Sequence, residues 1–466
     1  MRILSLLILA LTACASTPKP DAVASTVRSD EFYGLENGLP VIHVRDHSLP
    51  TVKVVLEFPM GASIEAPQEE GAVALLAALM ERGAGGKSAL EMAAAVEGLG
   101  LELGVNAGRE TFTIFGSGLK KHLPRLLELM QLIASAPNLA PDELEKVRRA
   151  QLARFVEERS QPGKLGDKAM LKSLYGADRF GRPVAGTEAS VSQVDSAMLK
   201  SFYQRIVGGG PAVIGLFGDI DIAEAKPLLQ QAFGQWSGAA SAQQSLPLSL
   251  QDGPRIHLVH KADLSQATVI LAHGGLQRTD PRWETVQVMN FILGGGGFSS
   301  RLMKLVRSEK GLTYGIRSRF AGGKRGGPFT ISAATRKEKV RALIDLSFQV
   351  VEDLRKNGVS EAELKQAKNY LLGGFPLRLE TPEGEGGLLL MARRYGLGND
   401  YLAAYPERVE AVSSTGVALA AAELLDPQKL RIIVVGPREA IYEQLKDLGD
   451  VTASDWQDDS AIPPNP

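Results

Sequence analysis

Hydrophobic residues alternate with polar ones in four short stretches, two near the start of the chain and two past its middle. These stretches are "GLPVIHVRD" and "TVKVVLEFP" in the first half and "RIHLVH" and "ATVILAHGG" in the second. Such alternation is typical of β-strands, whereas "HLPRLLELMQLIAS" has apolar residues at helical spacing. Strands in a meander with helices grouped between them predict an α+β fold, in which helices pack on one face of a mostly antiparallel sheet.

The second half of the chain repeats the first. "PDELEKVRRAQLARF" (141–155) matches "EAELKQAKNYLLGGF" (361–375) with an offset of 220 residues. "AVIGLFGDID" (212–221) matches "RIIVVGPREA" (431–440), and in both a hydrophobic strand ends in glycine. A repeat of this length predicts two homologous domains.

A stretch without periodicity separates the two copies. "SGAASAQQSLPLSLQDGP" (237–254) is rich in Ser, Ala, Gln and Pro, a composition typical of a linker. We therefore expect an N-terminal domain over 30–236 and a C-terminal domain over 255–450. The remaining residues, 451–466, are predicted to form a tail.

The N-terminus has the pattern of a secretory signal. "MRILSLLILALTAC" carries one positive charge and then an apolar run from Ile3 to Ala13, which is too short to span a bilayer, since spanning needs ~20 residues. The run ends in LTAC, which resembles a bacterial lipobox. We expect a signal peptide over 1–14 with lipidation at Cys14, and a flexible tether over 15–29.

A lipidated Cys14 would place the protein in the periplasm, anchored to a membrane, for which we expect the outer membrane. Cys14 is the only cysteine of the chain, so it forms no internal disulfide. The alternative is a soluble secreted protein, because Ala13-Cys14-Ala15 also fits an A-x-A cleavage site.

The charge of the chain is balanced. Its 52 basic and 53 acidic residues give a formal net charge of −1, and no long run of one sign occurs. This balance argues against nucleic acid as a partner.

Three segments and the repeat together resemble the insulinase/pitrilysin family of zinc peptidases. The segments are "ENGLPVIHVRDHSLPTVKVVLEFPMGASIE", "EEGAVALLAALMERGAGG" and "LGGGGFSSRLMKLVRSEKGLTYGI", in the order that the family has. The resemblance covers about 30–450. It implies that each half is an insulinase-like domain.

The resemblance also implies where a zinc site would lie. Active members carry an inverted motif, H-x-x-E-H, on a helix after the first two strands, and a further glutamate ~80 residues after the first histidine completes the site. On this pattern Ala74 and Ala78 stand at the histidine positions, Ala77 at the general base, and Arg154 near the distant ligand. We therefore expect a degenerate site and no metal or other cofactor in this chain.

One pair of histidines has the spacing of an inverted motif. His43 and His47 enclose "VRD", but His43 lies in a predicted strand and His47 in a predicted turn. Residues four apart in a strand are ~13 Å apart, too far to bind one ion. We interpret both as surface residues of a strand and a turn.

The second half keeps a different part of the family's active site. After "LGGGGFSS" (293–300), a predicted helix contains Arg307 and ends at Gly311, and a strand is predicted from Leu312 with Tyr314 on it. Alone, an arginine near a helix C-terminus and a strand tyrosine are ordinary structural residues. In the family, an Arg and a Tyr at this spacing bind the substrate carbonyl and stabilise the tetrahedral intermediate.

Lost zinc positions with a retained Arg/Tyr pair resemble the non-catalytic subunit of bacterial two-chain members of the family. The expected partner is a homologue with H-x-x-E-H that carries the zinc, forms a heterodimer with this chain and cleaves peptides that both chains bind. One alternative is a scaffold or peptide-binding homologue with no part in catalysis. Another is a peptidase with a different site, but no Ser/His/Asp or Cys/His arrangement supports it.

Overall fold

The computed structural model of the chain describes residues 30–236, 248, 250, 253 and 255–465. The predicted signal peptide with Cys14, the tether and most of the predicted linker lie outside the described residues. Each half of the chain forms one large sheet with helices around it.

The first sheet has six strands, with one parallel pair among them. The strands of this half, including the two of a separate short hairpin, are β1 (Asp30–Gly34), β2 (Pro40–Arg45), β3 (Thr51–Phe58), β4 (Gly83–Ala84), β5 (Lys87–Ser88), β6 (Glu102–Ala107), β7 (Phe112–Leu119) and β8 (Val213–Gly218). The spatial order of the sheet is β1-β2-β8-β3-β7-β6, and β2 and β8 are the parallel pair.

The second sheet has seven strands. They are β9 (Ile256–His260), β10 (Gln266–Gly274), β11 (Ile316–Phe320), β12 (Pro328–Arg336), β13 (Arg431–Gly436), β14 (Val451–Asp455) and β15 (Ala461–Ile462). Their order is β11-β12-β10-β13-β9-β14-β15, and β9 pairs in parallel with both β13 and β14.

The two sheets share one connectivity. The order β6-β7-β3-β8-β2 in the first corresponds to β11-β12-β10-β13-β9 in the second. In each, the last strand of the repeat inserts between the first two and pairs in parallel with the first. The prediction of an α+β fold with two homologous, mostly antiparallel domains is confirmed.

The helices also follow the repeat. Their bounds are α1 (Ala72–Met80), α2 (Ala89–Glu97), α3 (Leu123–Ser135), α4 (Pro141–Glu158), α5 (Pro162–Tyr175), α6 (Glu188–Gln193), α7 (Ser196–Tyr203), α8 (Ile222–Phe233), α9 (Trp283–Asn290), α10 (Val340–Asn357), α11 (Glu361–Arg378), α12 (Pro382–Tyr395), α13 (Tyr405–Glu410), α14 (Ser414–Leu424) and α15 (Arg438–Leu445). The bounds of α4 and α11 differ by 220 residues at both ends, as do those of α5 and α12. This is the offset read from the sequence.

Each half lends one helix to the other half's sheet. Helix α5 packs on β10 and β13 of the second sheet, and α12 packs on β2 and β8 of the first. In β10, Leu271 packs among the second half's own helices, whereas its neighbour Ile270 packs with Met170 of α5. In β3, Val54 and Val55 likewise face different cores. Each half's own helices therefore pack on one face of its sheet, as predicted, while the opposite face, for which the sequence analysis expected no helix, is covered by the helix from the other half.

Glycines permit these exchanged helices to lie close to the sheets. A Cβ at Gly166 of α5 would lie 2.8 Å from a methyl carbon of Ile270, and one at Gly386 of α12 would overlap the ring of Phe217. The two glycines are 220 residues apart. Polar contacts add to the packing, since Arg394 of α12 donates to the buried carboxylate of Glu57 at 3.0 Å.

The C-terminal residues do not form the predicted tail. β14 pairs in parallel with β9, and β15 pairs with β14, so the chain from Val451 to Ile462 extends the second sheet. The prediction failed because this segment is short and partly polar, and its strands exist only through pairing with the exposed edge of β9. Within the described ranges, no helix is both long and apolar enough to cross a membrane.

Candidate functional site

The helix at the family's zinc position is α1, and its side chains are small and apolar. Ala74 and Ala78 are four residues apart, so they share one helix face, and both are partly exposed there. Ala77 is buried. A methyl group has no lone pair to bind a metal and no proton to transfer. These residues do not fit a zinc ion.

The N-terminus of α1 is held by a buried carboxyl group. Glu65, 2% exposed, accepts hydrogen bonds from the backbone N–H groups of Val73 at 2.8 Å and Gly71 at 3.3 Å. These are N–H groups that the helix itself leaves without a partner. Burial raises the pKa of Glu65 to about 7, although both hydrogen bonds oppose the shift. Glu65 anchors the helix that carries the alanines.

The distant ligand position supplies no metal ligand either. Arg154 lies exposed on α4, the helix that packs against α1. In the part of the chain that the structure describes, no group of three or more His, Cys, Asp or Glu residues could hold a metal ion.

The histidine pair does not form a site. His43 lies on β2 with its ring fully buried and Nε2 3.0 Å from the carbonyl oxygen of Ile220. His47 lies beyond the strand, where Nδ1 is 2.6 Å from Asp219. The expectation that His43 is a surface residue is wrong, because the face of β2 that carries it packs inside the molecule.

Arg307 lies in a π-helical segment, Met303–Glu309, after the glycine-rich loop. Its guanidinium carbon lies 4.3 Å from the centre of the Phe298 ring. Within the described residues, the side chain of Arg307 makes no hydrogen bond or ion pair. A second π-helical segment, Phe291–Gly295, precedes the loop. Such segments are rare and often mark functional sites.

Arg301, six residues earlier on the same helical segment, is by contrast a structural arginine. It donates to both carboxylate oxygens of Glu363 at 2.8 and 2.9 Å and to Asp353 at 2.9 Å. This pairing lowers the pKa of Glu363 to about 2. The donors of Arg301 are occupied, whereas those of Arg307 are available to a ligand.

Tyr314 is 86% exposed, and the structure corrects its predicted location. It lies at a bend, and strand β11 begins only at Ile316. The residues on either side of Tyr314 form the turn between the helix and the strand. Gly311, in the left-handed region at φ +61°, ends the helix as predicted, and Thr313 Oγ1 accepts a hydrogen bond from the N–H of Gly315. The hydroxyl group of Tyr314 has no partner among the described residues.

The glycine-rich loop combines close packing with an exposed tip. A Cβ at Gly294 would lie 2.6 Å from the backbone nitrogen of Ser318, so a side chain there is excluded. Gly297 has φ +55° and open space around it, and the next residue, Phe298, is 65% exposed. The loop thus presents an aromatic ring beside Arg307.

The structure brings the predicted residues together in two groups. The three alanines share α1 in the first half, and Arg307 and Tyr314 flank the end of one helix in the second. Sequence reasoning missed Phe298 and Glu65. A phenylalanine directly after four glycines, and a glutamate six residues before Gly71, were the available signals.

A repeated α+β fold with an apolar helix at the expected metal position defines a homologue of zinc peptidases in which alanine stands at the motif positions. Residues 40–188 match the model for "Insulinase (Peptidase family M16)", and residues 193–371 match that for the "Peptidase M16 inactive domain". Together these matches cover more than half of the chain. The chain belongs to peptidase family M16, the insulinase family.

Some similar proteins are named zinc proteases, and one is named a non-peptidase homolog. An uncharacterized zinc protease of Streptomyces coelicolor is 27% identical over 69% of this chain and 71% of its own length. A non-peptidase homolog, YmxG, of Helicobacter pylori is 27% identical over 74% of this chain and 79% of its own length.

Solved structures agree on the fold. The peptidase M16 inactive domain from Pseudomonas fluorescens has a TM-score of 0.82 at 28% identity, covering 88% of this chain and 98% of its own. A protease from Helicobacter pylori has a TM-score of 0.81 at 19% identity, which indicates the shared fold alone.

Proposed function

We propose that this chain is the non-catalytic subunit of a two-chain zinc metallopeptidase of family M16. The observation that carries the proposal is a contrast between the halves. The metal positions of α1 hold alanine, while Arg307 and Tyr314 present donors that no described residue occupies. The match to a domain described as inactive and the similarity to a non-peptidase homolog agree with it.

In this proposal, each retained residue acts on a peptide held at the partner's zinc site. Arg307 donates to the substrate carbonyl in the ground state. Tyr314 donates its hydroxyl proton in a hydrogen bond to the oxyanion that develops when that carbonyl is attacked. The partner is a homologue that carries H-x-x-E-H, and the substrates are peptides.

The site of action proposed is the periplasm. Lipidation of Cys14 would tether the subunit to a membrane, for which we propose the outer membrane. The support is the LTAC sequence after a short apolar run.

The experiment mixes this chain with an H-x-x-E-H homologue and measures steady-state cleavage of a fluorogenic peptide. Tyr314→Phe should lower kcat by ~10²–10³-fold, the usual loss for one oxyanion donor. Arg307→Ala should raise KM, because it removes a contact that exists before the reaction. Size-exclusion chromatography should show that both variants still assemble.

A matched control is Tyr370→Phe, which removes the hydroxyl of another exposed tyrosine, 63% exposed on α11. It should leave kcat and KM unchanged. Wild-type rates from the Tyr314→Phe complex would support the alternative, a scaffold that contributes shape and no chemistry.

A further inference from the structure

The side chain of Arg307 contacts an aromatic ring and no carboxylate among the described residues. A free arginine side chain has several rotatable bonds, and fixing it in one geometry costs conformational entropy. Arg301 is fixed by carboxylates, which occupy its N–H donors. Arg307 instead lies over the ring of Phe298, at 4.3 Å.

Stacking on a ring differs from ion pairing in what it leaves free. A guanidinium that stacks on an aromatic ring presents its flat face to the ring. Its N–H donors lie in the plane of the guanidinium and point outward from its edges. A carboxylate partner would compete with a substrate carbonyl for these donors. A phenylalanine ring orients the guanidinium and leaves its donors available.

The backbone that carries the ring is held in a hydrogen-bonded turn. Phe298 lies in a 3₁₀ turn, Gly297–Ser299, in which the N–H of Ser300 donates to the carbonyl of Gly297 at 3.0 Å. The Ser300 hydroxyl donates to the same carbonyl at 2.7 Å. Phe298 is 65% exposed, so burial in the core does not account for its place beside Arg307.

We propose that Phe298 is a positioning residue, which holds the guanidinium of Arg307 by cation–π stacking so that its donors face the peptide carbonyl. The proposal rests on the proposed function for its consequence in catalysis. The stacking itself is a property of this chain alone. The two parts are therefore tested separately.

The stacking is tested by NMR of the isolated chain, through the Arg307 Nε–Hε signal, assigned by its loss in Arg307→Lys. A guanidinium over a ring face experiences a ring-current shift upfield. Phe298→Tyr should keep that shift, and Phe298→Leu should abolish it. Tyr370→Leu, which removes an exposed ring that stacks on Phe291, is the matched control and should keep it. An unchanged signal in Phe298→Leu would overturn the proposal.

The catalytic consequence is tested in the two-chain complex. Phe298→Leu should raise KM by about two- to five-fold, the size of a cation–π contact at an exposed site, with kcat nearly unchanged. Phe298→Tyr should restore the wild-type KM. In an Arg307→Ala background, Phe298→Leu should have no further effect.

Failure of the positioning role and failure of the proposed function give different results. An equal rise in KM in the Arg307→Ala background would mean that Phe298 contacts the peptide directly, and would overturn the positioning role. Wild-type kinetics from Arg307→Ala alone would refute the proposed function, while the NMR result would still decide whether the ring holds the guanidinium.

Discussion

Gly386 of α12 is where the exchange of helices between the two halves can be tested most directly. It is buried against the first sheet, and a Cβ placed on it would lie within 2.5 Å of three carbon atoms of the Phe217 ring. The next residue, Gly387, is exposed on the same helix, and a Cβ there would meet nothing within 4 Å. The two glycines therefore differ only in the surface that they face.

The expected effects have opposite signs. Alanine is favoured over glycine inside a helix by about 1 kcal/mol, and this gain applies to both positions. Overpacking a core costs typically ~1–3 kcal/mol, and Phe217 is only 2% exposed, so its ring has little room to move. Gly386→Ala should lower the free energy of unfolding by up to about 2 kcal/mol, and Gly387→Ala should raise it by up to about 1 kcal/mol.

The repeat supplies a second pair of variants. Gly166 of α5 faces the terminal methyl of Ile270 at 2.8 Å, which can rotate aside, so Gly166→Ala should be milder than Gly386→Ala. Gly163, with open space around it, is the matched control. Calorimetry and urea unfolding of all four variants measure the order. Equal stabilisation by Gly386→Ala and Gly387→Ala would show that α12 does not pack on the first sheet.

Three further predictions concern the anchor of α1, the metal and the membrane. Because the folded pKa of Glu65 is raised from about 4.5 to about 7, its ionised form destabilises the fold, and the free energy of unfolding should fall as pH rises through this window. Glu65→Gln should reduce that fall in urea titrations, and identical pH profiles would contradict the assignment. The purified chain should contain no stoichiometric zinc, given alanine at 74, 77 and 78, and about one zinc per chain by elemental analysis would refute this. Cys14→Ser should release the protein from the membrane fraction or stall its processing, whereas unchanged fractionation would place the anchor elsewhere.

The candidate site was only partly predictable. Ala74, Ala77 and Ala78 could be identified because they align with the H-x-x-E-H motif of the family. The seven-residue spacing of Arg307 and Tyr314 is also visible in the sequence. The exposure of Tyr314 could not be predicted, because strand β11 begins at Ile316, later than the apolar pattern suggests. Side-chain hydrogen bonds of Thr313 and the glycine turn at Gly311 determine that start.

The sequence by itself determined the two-fold repeat and the α+β class, since burial with a period of two or 3.6 residues is a local property of each segment. Tertiary structure decided which sheet each helix covers and that the residues after 450 form strands. These features depend on contacts between residues far apart in the chain. A hydrophobic residue in the sequence indicates burial. The residues that bury it are determined only when the two halves pack together.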